Sequence, residues 1–84
     1  MREYQEHIFT AVLHQIDWAG SNTVVNTEEN ITKVYFYGNK IAEINHRKKT
    51  GTYDHCGYHN ACTTARINAV KRAVESLGYR SIDK

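Results

Sequence analysis

Residues 34–44 are Val34-Tyr35-Phe36-Tyr37-Gly38-Asn39-Lys40-Ile41-Ala42-Glu43-Ile44, a pattern typical of a β-hairpin. Both arms are rich in β-branched and aromatic residues, which favour strands, and Gly38-Asn39 is a turn signal between them. The hairpin is therefore the centre from which the rest of the sheet is predicted.

The register of this hairpin follows from the positions of its apolar side chains. A two-residue loop pairs Val34 with Glu43, which places an acid on an apolar face. One additional loop residue, as in a bulged turn, pairs Val34 with Ile44 and Phe36 with Ala42 on one core face. We predict this second register. It leaves the other face to Lys33, Tyr35, Tyr37 and Glu43.

Two segments have the three-and-four spacing of apolar residues that is typical of amphipathic helices. The first is predicted over about Glu3 to Ile16. The second is predicted from Thr63 or Thr64, a hydroxyl N-cap, to Leu77, with Gly78 as its C-terminal stop. The residues predicted to be buried are Ile8, Phe9, Val12, Leu13 and Ile16 in the first helix, and Ile67, Val70, Val74 and Leu77 in the second.

Further strands are predicted on both sides of the hairpin. Thr23 to Thr27 is predicted as a short strand or an extended arm, Thr50-Gly51 as a turn, and Thr52 to Tyr58 as a third strand. The predicted fold class is α+β with the order α-β-β-β-α or with one additional short strand, a three-stranded antiparallel sheet with two helices packed on one face. A chain of 84 residues has room for one core, so we predict a single compact domain over residues 1–84.

Hydrophobic residues make up 40% and charged residues 24% of the chain, which is typical of a folded protein. No apolar run approaches the length of a membrane span, and the start of the chain lacks the apolar centre of a signal peptide. We therefore expect a cytoplasmic protein with no membrane partner.

The segment from Asp54 to Cys62 is the strongest candidate for chemistry because it contains two cysteines and two histidines. Zinc prefers thiolate and imidazole ligands, and Cys56, His59 and Cys62 have a spacing that a loop could close around a metal. A structural zinc site usually has two separated ligand pairs, whereas these ligands all come from one short segment. The sequence therefore favours two free thiols, no metal and no cofactor.

The other groups that a catalytic cysteine needs cannot be identified for this segment. A Cys-His pair needs a group that orients the histidine and an oxyanion hole, and neither can be identified from this spacing. The chain also has no glycine-rich phosphate loop and no motif of paired carboxylates. We therefore predict that the protein is not an enzyme.

The formal net charge of +2 is too small to predict nucleic-acid binding by itself. Basic residues are concentrated, however, in a run before Thr50 and along the last helix. They are His46, Arg47, Lys48, Lys49, Arg66, Lys71 and Arg72. A four-residue basic run is more often a solvated turn than a phosphate-binding surface.

The hairpin and the start of the last helix resemble a pattern common in small bacteriophage proteins. The motifs that carry the resemblance are Tyr37-Gly38-Asn39-Lys40-Ile41-Ala42, Cys56-Gly57-Tyr58 and Thr63-Thr64-Ala65-Arg66-Ile67-Asn68. The resemblance covers residues 34–79. It implies a phage origin and a non-enzymatic protein that binds and inhibits or redirects a host protein, including defence systems, in the host cell cytosol. In physical terms, Thr64 could cap the helix and Arg66 could reach back to the sheet or to a carboxylate.

The predicted element order is also similar to that of the double-stranded RNA-binding domain. That family has a lysine-rich start to its final helix, which lies beside phosphates. This chain has Asn60 to Thr64 at that place, and its basic residues come later in the helix. This departure argues against canonical binding of duplex RNA, although the basic residues could still contact phosphates and Tyr35 and Tyr37 could stack on bases.

Two functions follow as hypotheses. The first is a protein that binds a host bacterial protein through the exposed sheet face, with Tyr35 and Tyr37 as anchors beside Lys33 and Glu43. The alternative is a nucleic-acid-binding regulator that uses the seven basic residues named above. A homodimer is compatible with either function, because an exposed edge strand has to be covered or blunted.

Overall fold

In the computed structural model, the described residues form one sheet of six strands, and two helices pack against one of its faces. The structure describes residues 3–57 and 60–83. In chain order the elements are α1 (Glu3–His14), β1 (Trp18–Gly20), β2 (Thr23–Glu28), β3 (Ile31–Phe36), β4 (Asn39–Asn45), β5 (Thr50–Tyr53), α2 (Ala61–Ser76) and β6 (Arg80–Asp83).

The strands lie in the sheet in the order in which they occur in the chain. Neighbours from β1 to β5 are antiparallel, so short turns connect them, whereas β6 is parallel to β5 and is reached through α2. The α+β class is confirmed, but the prediction of three strands is wrong. β1 and β6 contain three and four residues, which is too short for a periodic pattern to mark them.

The third predicted strand is displaced along the chain. β5 begins at Thr50 and ends at Tyr53, so the turn predicted at Thr50-Gly51 is wrong, and residues 46–49 form the turn instead. The chain leaves the extended conformation before Cys56, whose φ angle is 53°. The predicted end of this strand, Tyr58, lies outside the described residues.

The central hairpin also differs from the predicted register. Its turn consists of Tyr37 and Gly38, both with positive φ angles, and not of Gly38-Asn39. The additional residue is Ile41, which forms a bulge inside β4, so Val34 pairs with Ala42 and not with Ile44. The bulge turns both Ile41 and Ala42 toward the core, and both are buried.

The core lies between the sheet and the two helices. Ile8 and Val12 of α1 are fully buried as predicted, but Ile16 lies beyond the end of α1 and is exposed. The predicted stripe of α2 is confirmed at Ile67 and Val74, with Val70 between them. The sheet contributes Val25, Val34, Ile41, Ala42, Ile44 and Tyr53.

The second helix begins earlier than predicted. Its N-cap is Asn60, whose Oδ1 accepts a hydrogen bond of 2.9 Å from the backbone N–H of Thr63. The predicted caps at Thr63 and Thr64 are therefore wrong, and Thr63 is buried inside the helix. The predicted stop is confirmed, because the helix ends at Ser76 and Gly78 has a left-handed φ angle of 76°.

Candidate functional site

The face of the sheet opposite the helices is the candidate functional surface, and we name it the open face. Its residues alternate with the core residues along the strands. They are Val24, Asn26, Glu28, Ile31, Lys33, Tyr35, Lys40, Glu43, Asn45, Thr50, Thr52, Arg80 and Ile82. Val24 and Ile82 are 45% and 47% exposed, so apolar surface is in contact with solvent near both edges of the sheet.

One row of the open face crosses five strands, from β2 to β6. The row consists of Asn26, Lys33, Glu43, Thr52 and Ile82. Lys33 and Glu43 are direct partners within it, and Tyr35 is in the next row, where it pairs with Val24 on one side and Lys40 on the other. Three of the four residues predicted for protein binding, Lys33, Tyr35 and Glu43, therefore share one surface.

The charges on the open face are mixed. Lys40 Nζ lies 2.8 Å from Glu43 Oε1, and this hydrogen bond, together with the negative charge of Glu43, raises the pKa of Lys40. Both side chains are in contact with solvent, so the pair contributes little to stability. It does hold one positive and one negative group at fixed positions beside Lys33, which suits a partner with charges of both signs.

Tyr37, the fourth residue predicted for protein binding, lies in the turn between β3 and β4 and not on the open face. Its side chain is 68% exposed. The centroid of its ring lies 4.7 Å from that of Phe36, and its hydroxyl accepts a hydrogen bond of 3.0 Å from Asn22 Nδ2. Tyr37 therefore projects at the end of the hairpin.

A cavity of about 410 Å³ lies between this turn and the start of α2, and we name it the turn cavity. The described residues that line it are Phe36, Tyr37, Asn39, Asn60 and Cys62. Two aromatic rings give it apolar walls, and two amide side chains supply hydrogen-bonding groups. Sequence reasoning missed this set, because only the tertiary fold brings the hairpin turn to the start of the helix.

Arg66 is buried behind the turn cavity and is 6% exposed. Its Nε donates a hydrogen bond of 2.7 Å to Thr23 Oγ1 in β2. Nη1 donates to the Cys62 carbonyl at 2.9 Å, and Nη2 to the Ser21 carbonyl at 3.0 Å. The prediction that Arg66 reaches back to the sheet is therefore confirmed.

Two aromatic rings enclose the guanidinium of Arg66. Its central carbon lies 4.0 Å from the ring centroid of Phe36 and 4.3 Å from that of Tyr4, distances at which a cation is attracted to a ring face. Among the described residues, no carboxylate forms an ion pair with it. Neutral acceptors and ring faces thus hold a buried positive charge close to the turn cavity.

The basic run lies in an exposed turn between β4 and β5. Asn45 Oδ1 accepts hydrogen bonds from the backbone N–H groups of Arg47 and Lys48, at 3.0 and 2.9 Å, which order the turn. The backbone N–H of Arg80 donates to the Lys49 carbonyl at 2.9 Å. We name Arg47, Lys48, Lys49 and Arg80 the basic corner. Sequence reasoning did not place Arg80 beside this turn because β6 was not predicted.

The other residues predicted to bind nucleic acid lie elsewhere. His46 and Arg66 are buried, and they contact opposite ends of the β3 segment, at Asn30 and Phe36. Lys71 Nζ lies 5.1 Å from the ring centroid of Tyr53 in the core layer, while Arg72 is exposed on α2. The seven predicted residues therefore do not form one surface.

His46 belongs to a chain of hydrogen-bonded side chains and is 8% exposed. Its Nε2 lies 2.6 Å from Thr32 Oγ1, which in turn lies 2.7 Å from Thr27 Oγ1. Its Nδ1 lies 3.2 Å from the hydroxyl of Tyr79. Burial lowers the pKa of His46, because the charged imidazolium is less well solvated there than in water.

We expect the protein to become less stable as the pH falls, because His46 is protonated more readily in the unfolded chain. The unfolded chain has the ordinary histidine pKa of about 6.5 and the folded protein a lower one, so the unfolded state binds more protons as the pH falls. The contribution is fully present above about pH 6.5 and is lost as the pH falls through the folded-state pKa. Tm values from circular dichroism at about pH 7.5 and about pH 5.5 measure this loss.

Two histidine variants identify its source. His46→Gln should show a smaller difference in Tm between the two pH values than the wild type. His14→Gln, at the exposed end of α1, should behave as the wild type does. The same pH dependence in His46→Gln and the wild type would show that other groups cause it.

The Cys/His segment is only partly described. Cys56 and Cys62 are free thiols, with Cys56 Sγ 3.1 Å from the Lys40 carbonyl and Cys62 exposed at the turn cavity. His59, the third residue of the candidate zinc site, lies outside the described residues. Within residues 3–57 and 60–83, no group of three histidine, cysteine, aspartate or glutamate residues is placed to hold a metal ion.

Of the comparisons with known proteins, one gives a match, and it is to a protein family. No curated protein and no solved structure matches the chain, so the likeness to the double-stranded RNA-binding domain finds no support there. In the part of the chain that the structure describes, neither helix is long and apolar enough to cross a membrane. The family model described as Kyanoviridae Gp96 protein matches residues 1–83, and this is a phage family. Since the match covers nearly the whole chain, the protein belongs to the Kyanoviridae Gp96 protein family.

Proposed function

We propose that this phage protein is a non-enzymatic binding protein, which attaches to a host bacterial protein through the open face and inhibits or redirects it. The main support is the open face itself, a sheet surface that neither helix covers. Val24 and Ile82 are exposed toward its edges, and Tyr35 lies between them. Tyrosine is frequent among the residues that dominate protein interfaces, and here it lies among charges of both signs.

The charge pattern of the open face favours a protein over a polyanion. Lys33 and Lys40 lie beside Glu43, and Glu28 is on the same face. A phosphate backbone would be repelled by these carboxylates, whereas a protein surface can match charges of both signs. A bacterial defence protein is one class of target that meets this description.

The basic corner supports a second candidate, binding to nucleic acid. None of its four side chains forms an ion pair with a described residue, so their charge is available to phosphates. However, a hydrogen bond of 2.9 Å from the backbone N–H of His46 to the Asn30 carbonyl joins this turn to the one that contains Glu29. The acidic turn beside it makes this end of the molecule a weaker phosphate site.

The two candidates can be separated by one recovery experiment with matched triple variants. The tagged protein is used to recover partners from bacterial lysate, with and without nuclease. The open-face variant is Lys33→Ala, Tyr35→Ala and Glu43→Ala, and the control of equal size is Arg47→Ala, Lys48→Ala and Lys49→Ala. Unchanged circular dichroism spectra and Tm values would establish that both variants fold.

We expect a stoichiometric host protein that survives nuclease and is retained by the basic-corner variant. The open-face variant should bind that protein at least about 30-fold more weakly, since a group of interface anchors contributes about 2 kcal/mol or more. Recovery that depends on nucleic acid, and is lost with the basic-corner variant, would refute the proposal in favour of the second candidate. A purified protein that sediments as a dimer through the open face would refute it in favour of a second copy of the chain.

A further inference from the structure

The turn cavity has the size of a ligand-binding pocket. Its volume of about 410 Å³ falls within the range of about 300 to 1,000 Å³ that such pockets have. It lies at the end of the hairpin on the helix side of the sheet, because Phe36 packs against the core and Asn60 and Cys62 belong to the start of α2. A partner seated on the open face could reach it with a segment that passes around the end of the hairpin, beside Tyr37.

Tyr37 is an unfavourable residue for the position it occupies. It is the first residue of a two-residue hairpin turn and has a φ angle of 51°, a conformation that suits asparagine, aspartate or glycine far better than an aromatic residue. Its ring is 68% exposed, so burial does not compensate for the strain. A costly conformation that is retained at the mouth of a cavity points to a functional role for the side chain.

The charge next to the cavity selects the type of occupant. The described lining residues include no acidic or basic side chain. Arg66 forms no ion pair with a described residue, its central guanidinium carbon lies 4.0 Å from the ring centroid of Phe36, and it donates to the carbonyl of Cys62. The first turn of α2 contains no acidic residue to offset this charge. The guanidinium of Arg66 therefore disfavours a lysine or arginine side chain in the cavity and favours an electron-rich ring with carboxylates close to it.

The polar groups of the lining fit an aromatic side chain that has a polar tip. Asn60 Oδ1 is occupied by the helix cap, which leaves its Nδ2 as a donor, and the contacts of Asn39 Nδ2 with backbone carbonyls are long, at 3.5 Å. Phe36 and Tyr37 provide ring faces against which a third ring can pack. Tyrosine and tryptophan combine these two properties.

We infer that the turn cavity is the specificity pocket of the host-protein interface, and that it takes an aromatic side chain from an acidic segment of the partner. The inference rests on the proposed function and adds the chemistry of the partner segment to it. Tyr37 forms one wall of the pocket, and Arg66 supplies a positive charge behind the other wall.

Three capped peptides of five residues test this in solution. The first has a central tyrosine with two aspartates on each side, the second has lysines in place of the aspartates, and the third has alanine in place of the tyrosine. Binding is followed by amide shifts of Asn39, Asn60 and Cys62 in ¹⁵N-labelled protein. We expect the acidic tyrosine peptide to bind at least about tenfold more tightly than the other two.

Tyr37→Asn is the matching protein variant. It creates the sequence Asn-Gly, the most favourable pair for this turn, which offsets the lost contacts with Phe36 and Asn22. We expect a Tm within about 5 °C of the wild type and affinity for the acidic tyrosine peptide reduced at least about tenfold. Equal binding by Tyr37→Asn, equal binding of the lysine peptide, or no shift at millimolar acidic peptide would overturn the inference.

The outcomes separate this inference from the proposed function. If Tyr37→Asn recovers the host protein as well as the wild type does, the pocket is refuted and binding through the open face stands. If the peptide binds as expected but the open-face variant recovers the same partner, the open face is refuted and the pocket stands. Stronger shifts of the same amides by a mononucleotide than by the peptide would overturn the inference in favour of a nucleotide site.

Discussion

Arg66→Ala is expected to lower the free energy of unfolding by about 3 to 5 kcal/mol. The substitution removes three hydrogen bonds from a charged donor, each of which contributes about 1.5 to 3 kcal/mol, while the cost of burying the charge offsets part of the sum. It also leaves a gap between the rings of Tyr4 and Phe36. Urea denaturation followed by circular dichroism measures the loss as a lower midpoint at unchanged slope.

Controls on the same helix separate burial from charge. Arg72→Ala removes an exposed arginine and should change the free energy of unfolding by less than about 0.5 kcal/mol. Arg66→Lys keeps the charge but lacks the planar fork that reaches three acceptors, so we expect it to lose most of the same stability. If Arg66→Met were as stable as the wild type, the cost of burying the charge would equal the value of its contacts, and Arg66 would not stabilise the fold.

Ile41→Ala is expected to cost about 2 to 4 kcal/mol of stability, which is usual for an isoleucine in a closed core. The size of the loss depends on the bulge in β4. In the register predicted from the sequence, with the extra residue in the turn, Ala42 would face the core opposite Phe36 and Ile41 would be on the open face. With the bulge, Ile41 and Ala42 are both buried. Thermal and urea unfolding of the variant therefore test the register of the hairpin.

Ile82→Ala is the matched control, since it removes the same atoms from the same sheet at a position that is 47% exposed. Its cost should stay below about 1 kcal/mol. If both variants lost the same small amount, Ile41 would be at the surface and the bulge would be absent. A large loss in Ile41→Ala alone would exclude the register that has the extra residue in the turn.

The sequence predicted the parts of the fold that depend on local periodicity. The apolar spacing of Ile8 and Val12, and of Ile67 and Val74, identified both helices and their buried sides, because a helix repeats its environment every three or four residues. The β-branched and aromatic content around Tyr35 identified the hairpin. The register of the hairpin was predicted wrongly. Its turn has two left-handed residues, which is unusual for Tyr37, so no turn pattern indicated it.

The parts that were missed depend on contacts between distant segments. β1 and β6 are held by pairing with neighbours, and their three or four residues are too few for a pattern. His46 was interpreted as a surface residue because basic side chains are rarely buried, whereas Arg66 was assigned both to a basic surface and to a contact with the sheet, and only the contact is observed. The burial of Arg66 could have been inferred, since it lies four residues before Val70 at the border of the buried stripe. The burial of His46 could not, because it depends on Tyr79, which lies beside an unpredicted strand.

Only part of the candidate site could be predicted, because a sequence pattern indicates which residues of a strand share a face but not which distant segments meet. Strand alternation placed Lys33, Tyr35 and Glu43 on one face, and this needs only that the segments are strands. The turn cavity joins residues of the hairpin to residues of α2, and the basic corner joins Arg80 to the turn before β5. No spacing within one segment could indicate either of them.

The parallel pairing of β6 with β5 determines the order in which the molecule assembles. β1 to β5 form by closing short turns, whereas β6 can pair only after α2 has crossed the sheet, which requires a larger loss of chain entropy. We therefore expect the meander to form early and β6, a four-residue edge strand, to join late and to open in local unfolding. One such opening would take Arg80 away from the basic corner and Tyr79 away from His46. The charge at this end of the molecule and the hydration of its buried imidazole thus change together, in a single reversible event.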